Sequence, residues 1–227
     1  MLTLVPPKNL HRTKEEYVYD TLRTAITRCE LEPGEKLVID SLSASLGVSP
    51  IPIRSALKRL EAEGFVEITP HTGATVSEIS LDIVTEIFLL LESLENVAFS
   101  VAASRATESD LTHLRQLMSE MEAAIKAGNP DHWYDLNNQF HLAIAQMSRM
   151  KMLIRFTKRA LDSRDRLRHF YLESFINSRM SEAHTEHCRM IELLEDRDSD
   201  GLTTLVTQHN RRAKEAYQKL IENQQVQ

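Results

Sequence analysis

Three histidines occupy positions where apolar side chains are expected. His141 lies beside Phe140, between Asn137 and Ile144. His187 is in register with Met190, Ile191 and Leu194, and His209 follows Leu202, Leu205 and Val206. The run Asp196-Arg197-Asp198-Ser199-Asp200-Gly201 reads as a turn between two helices, and His187 and His209 stand equally far from its centre at Asp198. At a rise of about 1.5 Å per residue, an antiparallel helical hairpin brings such a pair to one level. Asn137 and His141 share one face of their helix. His141, His187 and His209 are therefore expected to form a divalent-metal site with an open coordination position. Zinc, nickel and manganese suit histidine and oxygen donors to differing degrees. A single histidine on an apolar stripe is more often a hydrogen-bonded core residue. The three together, with the hairpin symmetry, favour metal. His184, close to His187, reads as a helix-surface histidine.

A second constellation lies between Leu42 and Val66. A short apolar helix ends at Gly47, and Ser49 is a preferred N-cap for the next one. Pro50 fits the first helical position because the missing N–H has no intrahelical use there, and Pro52 also falls within the first turn. Ile53, Ala56, Leu57 and Leu60 recur at helical spacing as a buried face. Ile51, Arg54, Ser55 and Lys58 recur on the opposite face, with Arg59 as a further cation. From Ser41 to Leu60 there is no acidic residue, although the whole chain has 33 acids against 27 bases. A small, polar, basic face suits a helix that enters the major groove.

Phe65 to Thr69 and Ala74 to Ser77 are β-prone runs around a Pro-His-Thr-Gly turn, which reads as a hairpin wing. His71, Thr72 and Gly73 at its tip are candidates for minor-groove or phosphate contact, with Gly73 allowing close backbone approach. His71 serves equally well as a plain turn residue. An amphipathic helix with solvated cations would match the basic face alone. Cap, glycine turn, basic face and wing in that order point to DNA.

The elements that must hold these groups follow from composition and periodicity. The 227 residues suit two modest domains, and a 6% aromatic content favours a helical protein over a β-sandwich. A net charge of −6 argues for a local basic footprint, not for indiscriminate nucleic-acid binding. No apolar span of about twenty residues stands out, so no membrane helix is expected. The start reads as a flexible arm over 1–13, without the pattern of a signal peptide. Cys29 and Cys188 form no disulfide framework, which fits a reducing cytoplasm.

After Ser80 helical stripes follow one another. They are Ile83, Ile87, Leu90, Leu94 and Val97; then Leu111, Leu114, Met118, Met121 and Ile125; then Trp133, Leu136, Phe140, Ile144 and Met147. Further helical patterns run over about 150–180, 181–195 and 199–223. The expected fold is mostly α: a winged helix-turn-helix over 14–79 and an all-α antiparallel bundle over 80–227, with about six helices.

The run from Val18 to Val76 resembles the winged-helix domain of the GntR family of bacterial transcription regulators. The resemblance rests on Leu31-Glu32-Pro33-Gly34, Leu46-Gly47-Val48-Ser49, Pro52-Ile53-Arg54, Ala56-Leu57, Arg59-Leu60-Glu61, Glu63-Gly64 and Gly73. It implies a DNA contact for Arg54. Family members usually carry arginine and threonine where this chain has Pro50 and Ile51, and glutamate where it has Ser55. Residues 83–223 are similar to the FCD ligand-binding domain of the FadR-type branch. The Phe140-His141 pair and the His187-to-His209 spacing match its metal-binding pattern, with Asn137 in place of the usual aspartate. That resemblance implies a small organic acid as effector, held by the metal and nearby cations. The usual arginine of the first helix is Leu91 here, and the usual Gly-Asn after the histidine helix is Arg149-Met150. Arg164 and Arg168 are candidate effector contacts, although a run of alternating arginines usually marks a solvated face.

Three functions result. The first is a cytoplasmic homodimeric repressor that binds a double-stranded operator under control of a small organic acid. The second is a regulator in which the metal is the signal itself or only a structural element. The third is a metal-dependent hydrolase. It lacks an HExxH, a GxSxG or a phosphate-cradling loop, and Glu182 and Glu186 have no evident inward direction.

Overall fold

The computed structural model describes residues 13–70 and 72–225, without the side chains of 172–178 and 223–225. His71 and the expected arm, apart from Thr13, lie outside the described residues. The described residues divide into two units. The first ends at Ser80 and also takes in Asp165–Phe170; the second comprises Leu81–Arg164 and Tyr171–Gln227.

In the first unit, Thr13 caps α1 (Lys14–Thr27) through a reciprocal box with Glu16. Helices α2 (Ile39–Leu46) and α3 (Pro50–Ala62) meet at Gly47, whose φ of 66° a residue with a Cβ adopts only under strain. Val18, Leu22 and Ile26 of α1 share a core with Ile53, Leu57 and Leu60 of α3. Strands β2 (Val66–Thr69) and β3 (Gly73–Val76) form the expected hairpin, with Glu67 opposite Thr75. A short strand that sequence reasoning missed, β1 (Lys36–Leu37), completes an antiparallel sheet of order β1-β3-β2.

The second unit is a bundle of α4 (Leu81–Arg105), α5 (Glu108–Lys126), α6 (Pro130–Met147), α7 (Lys151–Phe170), α8 (Leu172–Glu195) and α9 (Ser199–Gln225). Thr107 caps α5 by a box with Asp110, and Asn129 caps α6 by accepting from the His132 N–H. The α5 and α6 stripes face the core nearly as expected. Two expectations fail. The helical pattern over 150–180 is broken at Tyr171, not near 180, and Tyr171 holds the N-cap position of α8 without a side-chain capping bond. Neither glycine nor proline marks that break, so no local signal existed for it.

The second failure concerns α4. Val84, Phe88, Leu91, Glu95, Ala98, Phe99 and Ala102 are its buried face, whereas Leu90 and Val97 of the expected stripe are 47% and 46% exposed. The helix is apolar on two faces, and periodicity alone cannot tell which turns inward. By length and hydropathy α4 also satisfies the requirement for a membrane span, against the sequence expectation. Its buried Glu95 and its packing against α6, α8 and α9 make it a core helix of the bundle.

Candidate metal centre and nucleic-acid interface

The three histidines converge. His141 comes from α6, His187 from α8 and His209 from α9, with exposures of 1%, 0% and 4%. One ring nitrogen from each lies within 4.8 Å of the others. The hairpin register brings the His187 and His209 ring centroids to 5.0 Å, and those of His141 lie 5.1 and 5.3 Å from them. Trp133 stacks on His187 at 6.2 Å between centroids, and Phe140 lies against it at 4.6 Å.

Two carboxylates back the rings. Glu186 Oε2 lies 2.6 Å from Nδ1 of His209. Glu95 Oε1 lies 2.9 Å from Nδ1 of His141, a contact more electrostatic than hydrogen-bonded, while Asn210 donates to Glu95 Oε2 at 2.7 Å. A carboxylate on Nδ1 favours the tautomer that leaves Nε2 free to bind a metal. His187 differs, because neither of its ring nitrogens has a hydrogen-bond partner, and Nε2 of His141 has none either. Buried polar atoms left in this way cost about 1–3 kcal/mol each. Three buried imidazoles whose nitrogens converge within 4.8 Å suit a divalent ion, so the residues fit the group.

Electrostatics favour neutral His187 and His209 rings beside ionised carboxylates. Burial pushes His187 well below its ordinary pKa, and the neighbouring His209, His141 and Arg164 push in the same direction. Burial also lowers His209, to about 4, against the opposing effect of its hydrogen bond to Glu186. Burial alone would raise Glu95, but His141, Arg164 and Asn210 hold it at about 2. Burial would likewise raise Glu186, but His209, Arg179 and Arg212 hold it well below the usual carboxylate range.

Glu186 is therefore directed inward, contrary to expectation, whereas Glu182 is exposed. Arg179 grips Glu186 with both terminal nitrogens, at 3.1 and 2.5 Å, and Arg212 donates to it at 2.7 Å. So saturated a carboxylate is a poor proton acceptor, unlike a hydrolytic base beside a metal-bound water. Sequence reasoning missed Glu95, Glu186, Arg179 and Asn210. The available signal was a charge interrupting an apolar stripe: Glu186 within Ala183, Met190 and Leu193, and Glu95 within Leu91, Ala98 and Ala102.

Asn137 is 5% exposed, one turn before His141 on the buried face of α6. Leu91, at the place of the family's arginine, is fully buried. The arginine run is not a solvated face: Arg164, Arg166 and Arg168 are 8%, 6% and 4% exposed. Arg164 donates to Asn138 Oδ1 at 2.7 Å, and its charge acts on both Glu95 and His187. Arg168 instead pairs with Asp165 at 2.9 Å and contacts His169, within the segment that groups with the first unit. His184 is half-buried and outside the triad.

The first unit displays its candidate residues on α3. Ile51, Arg54 and Lys58 are exposed and Ser55 is half-buried, opposite a face of Ile53, Ala56, Leu57 and Leu60. Ser49 holds the N-cap position, but its side chain makes no capping bond. An N-cap oxygen accepts from the second or third helical N–H; the third residue is Pro52, which has none. The exposed Ser49 hydroxyl is thereby left to other partners. Arg59 is engaged inside the unit: its guanidinium lies 3.5 Å from the Tyr19 ring centroid and its Nε 3.5 Å from Glu63. Thr72 and Gly73 are exposed at the wing tip, Gly73 with a φ of 108°.

A basic, exposed helix followed by a wing suits the DNA-binding half of a regulator, and family comparison decides which kind. Residues 14–76 match the model of bacterial regulatory proteins of the gntR family, and residues 86–212 match the FCD domain. The chain belongs to the GntR family. GntR-family membership extends to its relatives. The HTH-type transcriptional repressor RspR of Escherichia coli is 26% identical over 208 residues, covering 92% of this chain and 90% of that protein. The Nta operon transcriptional regulator of Aminobacter aminovorans is 30% identical over 179 residues, covering 78% and 81%. The solved structure of E. coli McbR/YncC shares the fold, with a TM-score of 0.78 at 23% identity over 92% of this chain and 99% of that one. GntR-family proteins with an FCD domain are DNA-binding transcription regulators, not enzymes, and this chain is one of them.

Proposed function

We propose that this GntR-family regulator is a homodimeric repressor. Its helical domain holds a divalent ion on His141, His187 and His209, and through that ion a small organic acid that sets operator affinity. The observation that carries the reading is the buried triad, in which Nε2 of His141 and both ring nitrogens of His187 have no hydrogen-bond partner among the described residues. A bound divalent ion supplies a Lewis-acidic position at which a carboxylate can coordinate. Glu186 and Glu95 orient His209 and His141, and Trp133 and Phe140 hold His187 by packing alone. Asn137 adds a neutral oxygen donor from the same face of α6 as His141. Arg164 is the cation best placed to attract the acid, since among the described residues its side chain hydrogen-bonds to the neutral Asn138. Ligand changes DNA affinity only by its differential affinity for two arrangements of the protein. Repression is supported by RspR and by the repressor GlaR of E. coli, 27% identical over 197 residues.

Dimerisation is supported by the outer face of α4 and by α7. Among the described residues, every exposed large apolar side chain of the second unit lies on these two helices or immediately before α7: Leu89, Leu90, Val97, Met150, Met152 and Phe156. Leu94 and Ala98 of α4 share a small apolar cluster with Ala145 of α6 and Leu153 of α7. Exposed Asp82 and Glu86 flank the α4 patch, and exposed Lys151 and Arg155 flank the α7 patch. Two-fold pairing then sets acid against base and covers both patches.

The test is elemental mass spectrometry of protein purified without chelator, beside His187→Ala. About one equivalent of metal in the wild type, absent from the variant, is expected. No metal in either protein would overturn the metal-dependent reading and leave a regulator whose histidines are core residues. Loaded protein is then titrated with small carboxylates while operator binding is followed by gel shift. Leu91, uncharged and buried where the family places an arginine, favours a second reading in which the metal is structural or is itself the signal. An operator affinity that follows metal but no carboxylate would establish it.

A further inference from the structure

The helix that faces DNA opens with an apolar turn. Ile51 is 77% exposed, more than any other large apolar side chain among the described residues. It belongs to no core cluster, and it shares its face with exposed Arg54 and Lys58. Pro50 and Pro52 flank it, so two of the first three helical positions have no N–H to offer. A helix N-terminus ordinarily presents those donors to phosphate or to acceptors on base edges. This turn presents a branched hydrocarbon instead. Its polar contribution comes from the uncapped hydroxyl of Ser49, outside the helix proper.

In the major groove the apolar group carried by a base edge is the C5 methyl of thymine. We propose that Ile51 reads a thymine in each operator half-site by packing on that methyl. Arg54 and Lys58, further along the same face, supply the polar and phosphate contacts. The inference rests on operator binding by α3 and adds to it the identity of one base and the chemistry that selects it. An isoleucine discriminates here because every other base edge at that position would leave its side chain against polar atoms that had lost water without gaining a partner.

The test begins with selection of duplexes from a random library by full-length wild type and by Ile51→Ala. The variant folds as the wild type does, because Ile51 is not part of the core; circular dichroism checks this. Wild type is expected to enrich thymine at one position per half-site, and Ile51→Ala to lose that preference while keeping the others. Each enriched thymine is then replaced by uracil, which lacks only the methyl. At the position read by Ile51, wild-type affinity should fall roughly fourfold per half-site, the value of one buried methyl group. Ile51→Ala should bind the thymine and uracil duplexes alike. A wild type that binds both duplexes equally, or a thymine preference that survives in Ile51→Ala, overturns the proposal. Failure of the wild type to enrich any sequence would refute operator binding itself, and the inference with it.

Discussion

The two polar constellations of this regulator are built on opposite terms. On α3, Arg54 and Lys58 stand in water above a closed apolar core, and the fold does not need them. Around the histidines the network is buried: Glu186, Arg179, Glu95 and Asn210 are each at most 7% exposed and each leans on another, while Arg212 reaches Glu186 from the surface. A reading face can therefore change residue by residue without cost to folding. The metal centre is part of the core, where a polar group that loses its partner is left buried and charged. Function and stability should separate in the first region and be coupled in the second.

The largest effect tests that coupling. Glu186→Ala leaves buried Arg179 with the exposed Glu182 at 3.4 Å as its remaining carboxylate and should destabilise the protein by about 3 kcal/mol, read by urea unfolding without metal. A change below about 1 kcal/mol would mean that water reaches Arg179 and that the centre is not the buried network described. Next is metal removal. With metal at about one hundred times its Kd, binding contributes about 2.7 kcal/mol, so a chelator should lower the unfolding midpoint of wild type and leave His187→Ala unmoved. Equal chelator sensitivity in both proteins would place the metal elsewhere.

Arg54→Ala should weaken specific operator binding by about 1–3 kcal/mol, with stability unchanged within about 0.5 kcal/mol. Loss of stability instead would erase the contrast between the two regions. The smallest effects distinguish two adjacent cations. Lys58→Ala should reduce the slope of log affinity against log salt by about one, as expected for a lost phosphate contact. Arg59→Ala should leave that slope intact and cost about 0.5–1 kcal/mol of stability, because its guanidinium stacks on Tyr19. A salt slope that falls in Arg59→Ala would return that residue to the DNA surface.

Legibility in the sequence followed the same division. The α3 faces were legible because helical period, cap and glycine turn are local, and Ile53, Ala56, Leu57 and Leu60 proved buried as read. Even there one step failed, since Pro52 removed the donor that Ser49 would have capped. The triad was legible because His187 and His209 belong to one hairpin, whose turn fixes their register. Its supporting groups were not. Glu186 and Glu95 turn inward because Arg179, Arg212, Asn210 and two histidines from other helices compensate them there.

By itself, then, the sequence determined the winged helix with its basic face, the helical character of the second unit and the common level of the histidine pair. Periods, caps and turns act between residues close along the chain, so they are written locally. Only the tertiary structure decided which of two apolar faces of α4 is core, where α7 gives way to α8, that Arg59 is held by Tyr19 and Glu63, and that two carboxylates stand behind the histidines. Those outcomes depend on which distant groups share a buried space, where a charge is tolerated only beside its partner.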